Sequence, residues 1–215
     1  MIAGRADHTG LPGRIIVLNG APRSGKSTLA KAIQTDLDGN WLNIGVDAQA
    51  ATMPQGLMPG IGLRPGGERP DLEPIVAALY PALFQSIASY AHAGFDIVAD
   101  LGMHEDYSRP LDVFGAAARI LGPLGALVVG VDCGIDEIMR RRNADPRGGF
   151  YVGGDTPPAP VLRWQTAVHE NKTYDLRLDM GVLMPEEGVG RVAELLVSPP
   201  EVPALKLALT AAERG

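Results

Sequence analysis

Apolar and polar positions divide the chain into a repeating two-part pattern. Short apolar runs at residues 14–18, 41–46, 96–100, 126–132 and 174–178 predict buried strands. Between them, apolar residues recur with helical spacing at 25–37, 71–93, 109–121, 135–143 and 159–170, and once more at 185–196. Strands alternating with helices are the signature of a parallel sheet covered on its faces by helices, so an α/β domain is expected over 14–197. Residues 1–13 are small and polar and read as a flexible leader. Residues 198–203 break structure with three prolines, and 204–214 suit a short helix or a frayed tail. The segment 58–70 is rich in Pro and Gly and reads as a loop, either a plain connection or a lid.

The ends of the strands carry the informative residues. The second ends at Asp47, the third at Asp100 and the fourth at Asp132. In open parallel sheets ligands bind at the carboxyl edge, so polar residues gathered there point to a site.

The first strand runs into Gly20-Ala21-Pro22-Arg23-Ser24-Gly25-Lys26-Ser27-Thr28. This stretch fits G-x-x-x-x-G-K-[ST] at every fixed position, with an apolar strand before it and a helix after it. Backbone N–H groups of such a loop and of the helix start converge on phosphates. Lys26 supplies a positive charge for the β- and γ-phosphates, and the Ser27 hydroxyl is suited to Mg²⁺. The pattern marks a P-loop at the edge of the expected parallel sheet and makes ATP with Mg²⁺ the expected cofactors.

Composition sharpens this picture. With 215 residues, 46% of them hydrophobic, the chain can build a sizeable core. A net charge of −6 argues against binding nucleic acid through a broad basic surface. Cys133 is the single cysteine, which rules out an intrachain disulfide and a cysteine zinc site and suits a reducing cytoplasm. No apolar run approaches the length of a membrane span, and no membrane partner is expected. Oligomeric state is left open.

Other positions choose among P-loop chemistries. Asn171-Lys172-Thr173-Tyr174 begins like a guanine-reading motif but lacks its aspartate and precedes a strand. His104-Glu105 and His169-Glu170 begin like H-E-x-x-H without the second histidine, so both histidines read as surface or hydrogen-bonded residues. Asp47 is placed to accept the proton of an acceptor hydroxyl and to aim its oxygen, with a helix N-cap as the plainer role. Asp100 resembles a Walker B acid that holds Mg²⁺, with a cap or substrate contact as the alternative. Arg140, Arg141, Arg142 and Arg147 offer forked donors to phosphate oxygens on a lid at about 140–156, with Arg141 and Arg147 favoured as the working pair.

The runs 15–20 into Gly25-Lys26-Ser27, Trp41-Leu42-Asn43-Ile44-Gly45-Val46-Asp47 with Met53-Pro54, 93–100, and Val168-His169-Glu170 leading to Tyr174-Asp175 and Asp179 resemble the chloramphenicol phosphotransferase-like family of P-loop kinases. The resemblance implies a three-layer P-loop fold with a five-stranded parallel sheet flanked by helices, similar to nucleotide and shikimate kinases, and transfer of the ATP γ-phosphate to a hydroxyl of a small molecule, an antibiotic or similar metabolite. It matches the family's base to Asp47 and its lid arginines loosely to Arg141 and Arg147, and it puts Met53 and Asp100 beside the acceptor. The 59–70 loop departs from the family pattern, so the identity of the acceptor stays open. A nucleotide-binding regulatory module and a nucleoside or sugar-nucleotide kinase are the rival readings.

Overall fold

The computed structural model describes residues 10–144 and 154–212. Five strands form one parallel sheet: β1 (Ile15–Asn19), β2 (Trp41–Asn43), β3 (Asp96–Leu101), β4 (Leu127–Asp132) and β5 (Leu176–Asp179). Their order is β2-β3-β1-β4-β5, and every neighbouring pair is parallel, as the alternating strand and helix pattern predicts. The central strand β1 is buried throughout, which explains its unbroken apolar run. Its register with β3 sets Leu18 beside Asp100 and Asn19 beside Leu101, so the glycine-rich loop leaves the sheet next to the Asp100 carboxylate.

Alternate residues of β1 feed two cores. Ile16 and Leu18 pack with Leu29 and Ile33 of α1 (Lys26–Asp36) and Val192 of α7 (Pro185–Val197). Ile15 and Val17 pack on the other face with Phe84 and Ile87 of α3 (Glu73–His92), Ala117 of α4 (Val113–Leu121) and Leu205 of α8 (Ala204–Ala212). Each large side chain buried in this way contributes about 1.5–3 kcal/mol. The segment after residue 203 is thus a helix, docked through buried Ala204 and Leu205. By length and composition α3 could cross a membrane, which corrects the expectation that no apolar run is long enough. Here it is a core helix, with Val76, Tyr80, Leu83, Phe84 and Ile87 buried.

Several boundaries differ from the sequence reading. β2 ends at Asn43 rather than at residue 46, because Gly45 passes so close to β3 that a Cβ there would lie 2.3 Å from the Asp100 carbonyl oxygen. The chain then turns at once into a short helix, α2 (Val46–Ala50). The helix expected from 109 begins at Val113, where the Asp112 carboxylate accepts a bond from the Gly115 N–H. Segment 54–70 is anchored rather than bare loop. It forms two 3₁₀ turns, Gln55–Leu57 and Gly60–Gly62, buries Ile61 and Leu63, and is tied by Tyr80 Oη to Ile61 O (3.3 Å) and by Gly66 N to Asp106 O (2.8 Å). Most of the expected lid and Arg147 lie outside the described residues.

Candidate active site

The glycine-rich loop turns sharply from β1 into α1. Gly25 has φ 108°, a left-handed conformation that an L side chain adopts only with strain, and it leads directly into the first turn of α1. Helix α1 therefore opens with its free N–H groups at the loop, with no side chain capping them. That leaves donors and the positive end of the helix dipole available to an anion.

Lys26 lies beneath this loop, 9% exposed. Its ammonium donates to the Ala21 carbonyl (3.0 Å) and lies 3.7 Å from Asp100 Oδ1. Burial pulls its pKa below the usual lysine range, and the charges of Asp100 and Asp47 offset part of that. Ser27 Oγ donates to Asp100 Oδ2 at 2.5 Å. The strand register alone explains this meeting, since Asp100 sits beside the residue two before Gly20.

These groups open on a cleft of about 1040 Å³. One end is the loop from Gly20 to Thr28, with Asp100 beside it. Asp47 and Val46 of α2 line the same cleft, and Asp47 is exposed to it. Met53 is not among the lining residues; its sulfur sits under Gly60, where a Cβ would be 2.5 Å away. Met180, Gly181 and Val182 after β5, and arginines of α5 (Ile135–Ala144), line the cleft against the loop, since a Cβ on Gly25 would lie 3.0 Å from Met180 Cβ and 3.2 Å from Arg141 Nη1.

Arg141 bridges these walls. Its guanidinium donates to Glu137 Oε1 (2.7 Å), to the Arg23 carbonyl of the phosphate loop (3.1 Å) and to the Met180 carbonyl (2.6 Å). Two forked bonds also join Arg140 to Glu137, and they hold the Glu137 carboxyl at about 2. Asp132 does not face the cleft. It pairs with Arg177 and lies 3.4 Å from His169 Nε2, while His169 Nδ1 is 2.8 Å from Tyr174 Oη. Tyr174 Oη in turn accepts from the Asn19 amide (3.0 Å), so the His-Glu and Tyr-Asp blocks brace the root of the phosphate loop.

Three cleft residues carried no motif signal. Arg64 comes from the anchored 54–70 segment, and Trp164 and Gln165 come from α6 (Ala159–Ala167). The Gly- and Pro-rich composition marked the first segment; an indole on an apolar helix face reads from sequence as core.

The profile of the chloramphenicol phosphotransferase-like family matches residues 13–197. The chain belongs to that family. No curated protein sequence matches this chloramphenicol phosphotransferase-like protein significantly. Among solved structures it is similar to the Mycobacterium tuberculosis APS kinase in complex with AMPPNP and APS, at 15% identity and TM-score 0.58, covering 87% of this chain and 99% of that one. A sugar kinase from Janibacter aligns at 20% identity and TM-score 0.56, covering 89% and 99%. The shikimate kinase of Acinetobacter baumannii aligns at 12% identity and TM-score 0.54, covering 92% and 99%. At such identities these likenesses establish the fold. Family and fold together make this chloramphenicol phosphotransferase-like protein a kinase-type phosphotransferase with a P-loop nucleotide site.

Proposed function

We propose that the protein transfers the γ-phosphate of ATP to a hydroxyl group of a small molecule. The observation that carries this reading is that Asp47 lines the same cleft as the Lys26–Ser27–Asp100 cluster, close enough for its charge to bear on Lys26. The loop N–H groups and Lys26 hold the β- and γ-phosphates. Asp47 accepts the hydroxyl proton as the acceptor oxygen forms its bond to the γ-phosphorus and the bond to the β–γ bridging oxygen breaks, leaving ADP. For such a loose transition state, alignment counts for more than basicity. Ser27 Oγ and the Asp100 carboxylate form a pair of hard oxygen donors that fits Mg²⁺. When bound, that ion neutralises phosphate charge. Arg141 sits where it can steady the loop that grips the phosphates.

An ATP-consuming enzyme with one buried cysteine suits the cytoplasm. A role in antibiotic resistance depends on the acceptor, and chloramphenicol belongs in any panel that seeks it. The deciding experiment is ADP release against hydroxyl compounds with the Asp47→Ala variant alongside. The expected loss in kcat is about 10²–10⁴-fold, as for removal of a positioned general base, with AMPPNP affinity retained. Full transfer activity in the variant, on an acceptor the wild type uses, would overturn the role of Asp47. Tight AMPPNP binding with no phosphorylated product from any acceptor would favour a regulatory nucleotide-binding module.

A further inference from the structure

Asn19 places a fully buried amide at the end of the central strand β1, directly before the phosphate loop. A buried polar side chain is costly unless it is hydrogen-bonded, and this one is bonded on both sides. Its Oδ1 accepts from the Met103 N–H at 2.6 Å. Its Nδ2 donates to the Val168 carbonyl at 2.8 Å and to Tyr174 Oη at 3.0 Å, which uses both amide hydrogens. One side chain thus ties together segments that lie 84 and 149 residues away along the chain.

Each tied segment contributes to the cleft. Met103 directly follows Asp100, Leu101 and Gly102, all of which line it. Val168 is the C-cap of α6, whose Val161, Trp164 and Gln165 line it too. The phosphate loop leaves Asn19 along a tight path, since a Cβ on Gly20 would lie 2.3 Å from the Val131 carbonyl oxygen. The loop meets α6 a second time, because Ala21 packs with Trp164 and Val168 in one small apolar cluster. Ala21 also carries the carbonyl that accepts from Lys26 Nζ at 3.0 Å. The place of the ammonium therefore depends, through Ala21, on the segment that the Asn19 amide fixes.

We infer that Asn19 is a positioning residue for phosphoryl transfer: its amide holds the phosphate loop and Lys26 in fixed relation to the strand end that bears Asp100 and to α6. This rests on the phosphotransferase reading and adds to it a residue too deeply buried to meet a substrate. A misplacement of about 1 Å arising far from the reacting atoms can cost about 10²-fold in rate, so such a brace matters to the chemistry as well as to the fold.

The test uses the full chain with AMPPNP and Mg²⁺. Titration calorimetry reads affinity, and ³¹P NMR of the bound nucleotide reads the surroundings of its phosphates. Asn19→Ala removes all three bonds. AMPPNP should bind about 10–100-fold more weakly, and at saturation the β- and γ-phosphorus signals should leave their wild-type positions. General loss of stability lowers the folded fraction without moving the signals of bound nucleotide. Asp112→Ala controls for this: it strips the N-cap from α4, outside the cleft, and should keep wild-type affinity and signals. Should circular dichroism show that Asn19→Ala does not fold, Tyr174→Phe decides. That variant deletes one of the three bonds and leaves the ring against Gly130, and the same two signals should move by less. Wild-type affinity and signals in a folded Asn19→Ala would overturn the inference, as would unmoved signals in Tyr174→Phe where the alanine variant does not fold. Equal movement in Asp112→Ala would overturn it too. Failure of the wild type to bind AMPPNP would instead remove the phosphotransferase reading beneath it.

Discussion

Ser27 Oγ donates to Asp100 Oδ2 at 2.5 Å, joining the first turn of α1 to the end of β3. One partner comes from the phosphate-binding motif and the other from a strand 73 residues away. The pair offers two hard oxygens at the mouth of the loop, where a divalent cation would meet phosphate. Asp100→Asn keeps the shape and removes the charge. The concentration of Mg²⁺ needed for half-maximal AMPPNP binding should rise by about 10-fold or more, as expected for loss of a charged ligand or its hydrogen-bonded support. Binding of AMPPNP without Mg²⁺ should be unchanged or tighter, because a negative charge beside the phosphates is gone. Titrations with and without the metal give both numbers, and an unchanged Mg²⁺ requirement would remove Asp100 from the metal role.

Lys26 is a buried cation whose main protein contacts are one carbonyl and one carboxylate 3.7 Å away. Taking such a charge out of water is expensive, and weak pairing repays it poorly. Lys26→Met should therefore leave the unliganded protein near wild-type stability in thermal unfolding. Its affinity for AMPPNP should fall about 10²–10³-fold, the scale seen when a single oxyanion donor is removed. Equal affinity in the two proteins would mean that the ammonium does not meet phosphate.

Much of this was legible in the sequence because the signals are local. Strand–loop–helix order and the Gly25-Lys26-Ser27 run fix the crossover and the phosphate end of the site. Asp47 and Asp100 stood out because carboxylates at strand ends are out of place in a parallel core. What stayed hidden depends on long-range packing. Arg64 reaches the cleft beside Leu63, whose carbonyl His104 holds from 41 residues away, and Trp164 reaches it from α6 with its ring edge-on to the same imidazole. His104 read as surface or hydrogen-bonded; it is bonded and wholly enclosed, since Tyr107 stacks on it at 4.3 Å. Met53 sat beside Asp47 in the family-like run, yet α2 carries it under Gly60 and out of the cleft lining.

Arg141 supplies three donors to three protein acceptors: Glu137, the Arg23 carbonyl and the Met180 carbonyl. Arg141→Ala removes all three and leaves two carbonyls to water. The unfolding free energy should drop by about 1–3 kcal/mol in urea titrations. Arg141→Lys should recover little, because an ammonium cannot reproduce the planar fork. If Arg141→Ala proves as stable as the wild type, the bridge between the phosphate loop and the segment after β5 contributes nothing to the fold.

His104 makes stability depend on pH in a defined window. Burial holds its pKa at about 4 in the folded chain, against 6.5 for the free side chain. Below about pH 6.5 the unfolded chain binds a proton that the folded chain refuses, so the unfolded state gains. Stability from this residue is therefore complete above pH 6.5, declines as the pH falls, and stops declining near pH 4, where the folded protein protonates too. At about 1.4 kcal/mol per unit, the loss across that window is about 3 kcal/mol. Carboxylates titrate at its lower end, so the comparison is with His104→Gln, whose amide can still donate to the Leu63 carbonyl and has no proton to gain. The variant should show a flatter fall in unfolding free energy between pH 6.5 and 4, and parallel curves for the two proteins would mean that His104 is not held neutral.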